Sequence, residues 1–163
     1  MNTPTNITPK YRLLFICLGN ICRSPAAEGV MKAKVHAAKL DGRFFIDSAG
    51  IGDWHVGQLP DSRMRERGAR RGYRLDSRAR QIRQSDFDDF DLLLVMDREN
   101  YRIITSKAPD EESRKKVRML TDYLQEHKNT DIVPDPYYGD LSDFDYALDL
   151  IEDACDGLLE QCL

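Results

Sequence analysis

The short apolar run YRLLFI, Tyr11–Ile16, leads without a spacer into CLGNICRSP, Cys17–Pro25. Such a run, preceded by Pro9, reads as a buried strand. Ser24 is a good helix N-cap and Pro25 suits a first helical position. A strand, a short glycine-bearing loop and a helix start in fifteen residues leave little freedom. The loop must lie beyond the carboxyl end of a strand, where parallel α/β sheets place their ligands.

The rest of the chain repeats this alternation. The first helix is expected through AAEGVMKAKVHAAK, stopping near Asp41-Gly42, with a second strand over Phe44–Gly50. Pro60-Asp61 prepares a helix that Gly72 ends, and a small segment over Ala79–Ile82 follows. FDDF reads as a helical turn, Asp91–Met96 as the central strand, Asp97–Lys107 as helix and Lys116–Leu120 as a fourth strand. Asp131–Asp140 is rich in Pro, Gly and Asp and reads as loop. Asp143–Leu163 carries Phe144, Ala147, Leu148, Ile151, Ala154, Cys155, Leu158 and Leu159 on one stripe, so an amphipathic closing helix is expected. The pattern implies an α/β, three-layer fold: a four-stranded parallel sheet with helices on both faces.

Length and composition narrow the function classes. The 163 residues suit one domain over residues 11–163, behind a polar tail at 1–10 without a signal core. With 24 basic against 28 acidic residues the balance is −4, which argues against a nucleic-acid binder. No apolar run is long enough to span a bilayer, so no membrane insertion is expected. The four cysteines form no C-x-x-C pair and the three histidines are scattered, so neither a disulfide framework nor a metal site is expected.

The loop itself carries chemistry. Backbone N–H groups in such a turn converge, and the helix N-terminus adds partial positive charge, which makes an anion cradle. Gly19 permits backbone conformations closed to most residues, and Asn20 tolerates the left-handed region. Arg23 offers a planar donor fork that matches two phosphate oxygens. Cys17 at the cradle floor would feel the amides, the helix end and Arg23, all of which favour the nucleophilic thiolate. Ser24 can hydrogen-bond that sulfur. Downstream, Pro134 and Pro136 restrict the backbone around Asp135, which could hold a carboxyl over the cradle.

With these residues in place the chain resembles the low-molecular-weight protein tyrosine phosphatase family. CLGNICRSPAAE resembles its signature loop, FFIDSAGIGDWHVG its second strand and rim, DLLLVMDREN its central strand and VPDPYYGD its acid loop. The resemblance implies that family's fold and the hydrolysis of protein phosphotyrosine in the cytoplasm, by a monomer without metal or cofactor. It implies Cys17 as nucleophile, Arg23 as phosphate clamp and Asp135 as general acid. Leu18, Gly19, Asn20, Ile21, Cys22 and Ser24 would complete the phosphate loop, and Ile21, Trp54, Tyr137 and Tyr138 would frame an aryl slot. Related arginine-phosphate phosphatases carry threonine at the position of Ile21, so Ile21 and the double tyrosine favour phosphotyrosine. Asn20 and Ser48 match loop-bracing positions; where animal members often have a histidine, this chain places Ser77, which implies a shortened network. Asp97 matches a structural aspartate. Cys17 and Cys22 match a pair that the family links reversibly under peroxide.

Other readings remain to be weighed. A thiol-coupled arsenate reductase shares the fold and would need Cys155 and Cys162 as a relay. A silent phosphotyrosine-binding module would not need Cys17, Arg23 and Asp135 together. The arginine-rich run Arg63–Arg83 reads as a solvated helix face, and DFDDFD precedes a strand where an aspartate nucleophile would follow one.

Overall fold

The computed structural model describes residues 9–163, so the expected tail over residues 1–10 lies almost wholly outside the described residues. Strand β1 (Tyr11–Cys17) feeds helix α1 (Arg23–Ala37), and β2 (Phe44–Gly50) follows. Helix α2 (Ser62–Arg70) and the single turn α3 (Asp86–Asp89) precede β3 (Leu92–Val95). Then come α4 (Arg98–Lys107), α5 (Glu111–Lys115), β4 (Val117–Met119) and the long α6 (Leu141–Cys162). The sheet is parallel throughout, in the order β2-β1-β3-β4.

Period-two alternation explains why β1 can be apolar from end to end. Leu13, Phe15 and Cys17 face a core shared with α1 and α6, while Leu14 and Ile16 face a second core with Phe87 and Ile104. Leu13, Leu14, Phe15 and Ile16 are fully buried, each worth about 1.5–3 kcal/mol of hydrophobic stabilisation. The chain leaves β1 toward β2 on one side and later returns to β3 on the other. That switch point lies at the carboxyl ends of β1 and β3, where the loop from Cys17 and the residue Asp97 meet.

Helix boundaries moved from their expected places for identifiable reasons. Helix α1 begins at Arg23, after a Cys22 N-cap that offers no side-chain bond. Ser24 is therefore not the cap and Pro25 is not at the first position. The Ser24 hydroxyl turns back to Cys17 instead, and Pro25 still sits where its missing N–H costs nothing. Helix α6 begins at Leu141, because Asp140 and Asp143 form a reciprocal capping box. The short α5, capped by Asp110, was not expected from the pattern.

The expected stripe of α6 is buried against α1, apart from Leu159, which packs at its edge. The arginine run is more than a solvated face. Arg67 forks onto Asp145 at 2.9 and 2.8 Å, and Arg71 reaches Asp149 at 2.9 Å and Glu152 at 2.5 Å, so α2 is riveted to α6. Arg80 meets Asp86, whose side chain is fully buried under α3.

Candidate active site

Cys17 is the last residue of β1, and its sulfur opens into a cavity of about 330 Å³. The loop beyond it folds around that sulfur. The carbonyls of Cys17, Leu18 and Ile21 turn outward and accept from the amides of Ile51, Gly52 and Asp61 at 3.0, 3.0 and 2.8 Å. No backbone carbonyl among the described residues accepts from the amides of residues 19–22. Those N–H groups, with the uncapped start of α1, form the anion cradle expected from the sequence.

The left-handed residue of the loop is Asn20, with φ of 58°, and not Gly19. Asn20 repays that conformation with its side chain. Its Nδ2 donates to Ser24 Oγ at 2.7 Å and to Ser48 Oγ at 2.9 Å, and its Oδ1 accepts from the Arg80 amide at 3.0 Å. A Cβ at Gly19 would lie 3.0 Å from the His55 ring, so any larger residue there would press that ring outward. Ser24 Oγ lies 3.0 Å from Cys17 Sγ, and the Ser24 amide donates to the same sulfur at 3.4 Å.

The bracing network does not extend to Ser77 and continues on another side. Ser77 takes no part in it among the described hydrogen bonds. Ser48 Oγ instead donates to buried Glu28 at 2.5 Å, and Glu28 pairs with Lys32 at 2.6 Å. Glu28 lies one helical turn beyond Ser24 on the same face of α1, and that i,i+4 spacing was the signal available in the sequence.

Arg23 is 2 % exposed, although it opens a helix. Its Nη1 is committed to Asp97 at 2.7 Å and to the Val133 carbonyl at 2.9 Å. Asp97 also caps α4 through the Asn100 amide, so the clamp is anchored on the element after β3. Arg23 Nε, by contrast, is the one buried side-chain nitrogen or oxygen among the described residues that lacks a partner. Burial by itself would lower the Arg23 pKa. The neighbouring Cys17, the Asp97 hydrogen bond and Asp135 outweigh it and hold the guanidinium above its ordinary range. Asp135 Oδ2 stands 3.7 Å from Nη2, and its Oδ1 accepts from the Tyr137 amide at 3.1 Å. Burial, with Asp61 and Cys17 nearby, pushes the Cys22 thiol well above the ordinary thiol range.

Leu18, Gly19, Ile21, Cys22, Trp54, Tyr137 and Tyr138 line the cavity together with Cys17, Arg23 and Asp135. Asn20 and Ser24 stand behind the loop and support it. His55 also lines the cavity and was not singled out in the sequence. Its ring centroid is 6.5 Å from that of Tyr137, which in turn meets Tyr138 edge-on at 4.9 Å. The two remaining cysteines are remote: Cys155 is fully buried between α6 and α1, with its sulfur 4.0 Å from the Ala27 carbonyl.

A cysteine at the floor of an anion cradle, at the switch point of a parallel sheet, places the molecule among the cysteine-dependent phosphatases. The model of the low molecular weight phosphotyrosine protein phosphatases matches residues 12–163, and the chain belongs to that family. A low molecular weight protein-tyrosine-phosphatase of Streptomyces coelicolor is 44% identical over 150 residues, covering 91% of this chain and 92% of the relative. The crystal structure of a protein tyrosine phosphatase from Entamoeba histolytica superposes with a TM-score of 0.90 at 44% identity, covering 93% of this chain and 96% of that one. An arginine phosphatase of Drosophila has the same fold, with a TM-score of 0.82 at 31% identity over 92% of this chain and 96% of that one. The fold therefore does not choose between tyrosine and arginine phosphate.

Proposed function

We propose that residues 11–163 act as one phosphatase domain that hydrolyses protein phosphotyrosine through a phosphocysteine on Cys17. The carrying observation is the divided Arg23 side chain. One nitrogen is tied to Asp97 and Val133, while Nε is buried and has no partner among the described residues. A phosphate would satisfy it.

In the first step Cys17 Sγ attacks phosphorus, an S–P bond forms and the P–O bond to the phenol breaks. Asp135 delivers its proton to the departing phenolate oxygen. In the second step Asp135 takes a proton from water, the water oxygen bonds to phosphorus and the S–P bond breaks. Inorganic phosphate and the Cys17 thiolate are released. The loop amides and Arg23 stabilise the charge on the equatorial oxygens, and Ser24 stabilises the leaving thiolate.

Substrate choice follows from the walls. Ile21 is almost fully buried in the slot, and Trp54 and Tyr138 stand exposed at its mouth, which suits a flat apolar ring more than a guanidinium. A thiol-relay reductase is disfavoured, because Cys155 is sealed in the core. A silent module is disfavoured by Cys17, Arg23 and Asp135 converging on one cavity.

The test is turnover of phosphotyrosine peptide and aryl phosphate in chelator, with Cys17→Ser alongside and mass-spectrometric trapping of phosphocysteine. Loss of both turnover and adduct in the variant is expected. Thioredoxin-dependent arsenate reduction without aryl phosphate turnover, tight binding without turnover, or preference for phosphoarginine would each replace this reading.

The same site supports a redox switch. Peroxide would oxidise the Cys17 thiolate to a sulfenic acid, and the Cys22 thiol would displace water from it to form a disulfide. Peptide mapping after peroxide should find the Cys17–Cys22 link. A cytoplasmic monomer is the accompanying expectation; no helix among the described residues is long and apolar enough to cross a membrane. Sedimentation measures the mass directly.

A further inference from the structure

The arginine run places one guanidinium beside the site that the chemistry above does not use. Arg63 lies in the first turn of α2. Its Nε and Nη2 fork onto Asp61 at 3.0 and 2.9 Å, and Nη2 also donates to the Tyr137 carbonyl at 3.0 Å. Its guanidinium carbon lies 4.5 Å from the centre of the Phe144 ring and 5.6 Å from that of Tyr137. The Asp61 amide, in turn, donates to the Ile21 carbonyl of the phosphate loop at 2.8 Å. Burial by itself would raise the Asp61 carboxyl; the side-chain and backbone bonds from Arg63 outweigh it and hold Asp61 below the ordinary carboxyl range. The bridge therefore stays charged at neutral pH.

The segment that carries Asp135 has few other ties. Val133 is anchored on both sides, by its amide to Met96 and by its carbonyl to Arg23. From there to the α6 cap at Asp140, the described bonds are internal, apart from the Arg63 bond to Tyr137 and the longer Arg23–Asp135 contact. Asp135 hangs on the Tyr137 amide, and Tyr137 hangs on Arg63. We propose that Arg63, braced by Asp61, is a positioning residue that sets where the Asp135 carboxyl stands over the phosphate. This rests on the reading of Asp135 as general acid. A displacement near 1 Å at a reacting group can cost on the order of 10²-fold in rate.

The experiment compares phenyl phosphate, which needs its leaving group protonated, with p-nitrophenyl phosphate, which barely does. Arg63→Met keeps an apolar stem over Phe144 and removes the donors. Its kcat should fall on the order of 10-fold or more for phenyl phosphate and only about 2- to 3-fold for p-nitrophenyl phosphate, with KM nearly unchanged. Arg63→Lys should recover part of the loss, because an ammonium reaches one acceptor but lacks the fork. In an Asp135→Ala background, Arg63→Met should change neither rate further. An equal fall with both substrates, or an undiminished fall in that background, overturns the proposal. If Arg63→Met does not fold, Arg63→Lys decides: a smaller split of the same sign is expected, and a uniform fall overturns it. If Asp135→Ala itself shows no split, the acid reading and this inference both fall. If Asp135→Ala splits and Arg63→Met does not, only this inference is lost.

Discussion

The phosphate loop and the acid loop meet over one cavity and are built in opposite ways. Cys17, Asn20, Cys22, Arg23 and Ser24 are buried; Asn20 bonds to Ser24 and Ser48, Arg23 to Asp97 and the Val133 carbonyl, and Ser24 to the Cys17 sulfur. The segment from Asp135 to Gly139 is largely exposed, with Tyr138 at 93 %, and its ties outside itself are the Arg63 bond to Tyr137 and the longer Arg23–Asp135 contact. The contrast matches two tasks. Charge stabilisation works through dipoles fixed before the substrate arrives, so the anion cradle must be rigid. On the proposed reading, proton delivery by Asp135 has to let an aryl phosphate in and its product out, which suits a lightly tethered loop.

That comparison is broken most severely at the cradle floor. Cys17→Ser should lower kcat by on the order of 10⁴-fold or more, while calorimetry still detects phosphate binding, because only the nucleophile has changed. Arg23→Lys comes next. A lysine cannot hold Asp97 and Val133 and still present a fork, so kcat/KM for aryl phosphate should drop about 10²- to 10³-fold, with weaker phosphate inhibition.

Asp135→Ala probes the looser loop. About 10²-fold or more should be lost with phenyl phosphate and much less with p-nitrophenyl phosphate. Asn20→Ala attacks the rigid side from behind. It removes three hydrogen bonds and leaves alanine in a left-handed conformation, so chemical denaturation should show a loss of about 1–3 kcal/mol, with kcat falling for both substrates alike.

The smallest effect on activity is expected far from both loops. Asp153 accepts from the amides of Gln125, Glu126 and His127 and from the His127 ring. Burial by itself would raise its carboxyl; the His127 ring and those amides outweigh it and hold it below the ordinary range. A depressed pKa contributes stability that is complete above about pH 3.9 and is lost as pH falls through the lower native value. Asp153→Asn should therefore cost about 1–3 kcal/mol at pH 7, with kcat unchanged and the gap to the parent narrowing in acid.

Much of this contrast was legible in the residues. The cradle is a local object of eight residues, so its cysteine, its arginine and the strand beneath it could be read from order and spacing. The Pro-flanked Asp135 was legible too, because two prolines constrain backbone whatever surrounds them. Of the two roles the sequence offers Ser24, the bond to the Cys17 sulfur is present and the helix cap is not, since one hydroxyl turned to the sulfur does not also serve the helix start. Ser77, at the position where animal relatives often carry a histidine, makes no described bond to the network, and Ser48 continues to Glu28.

The sequence by itself determined the layered sheet and the cysteine–arginine loop, because both arise from neighbours within one strand–loop–helix unit. Only the tertiary structure decided which distant groups complete them: Asp97 and Val133 on Arg23, Glu28 under Ser48, His55 against Gly19 and Arg63 on Tyr137. Apart from the Glu28–Ser48 step across α1, these pairs lie 36 to 110 residues apart in the chain. Their meeting depends on the packing of α2 and α6 and on the crossovers of the sheet, and no local preference of either residue records it.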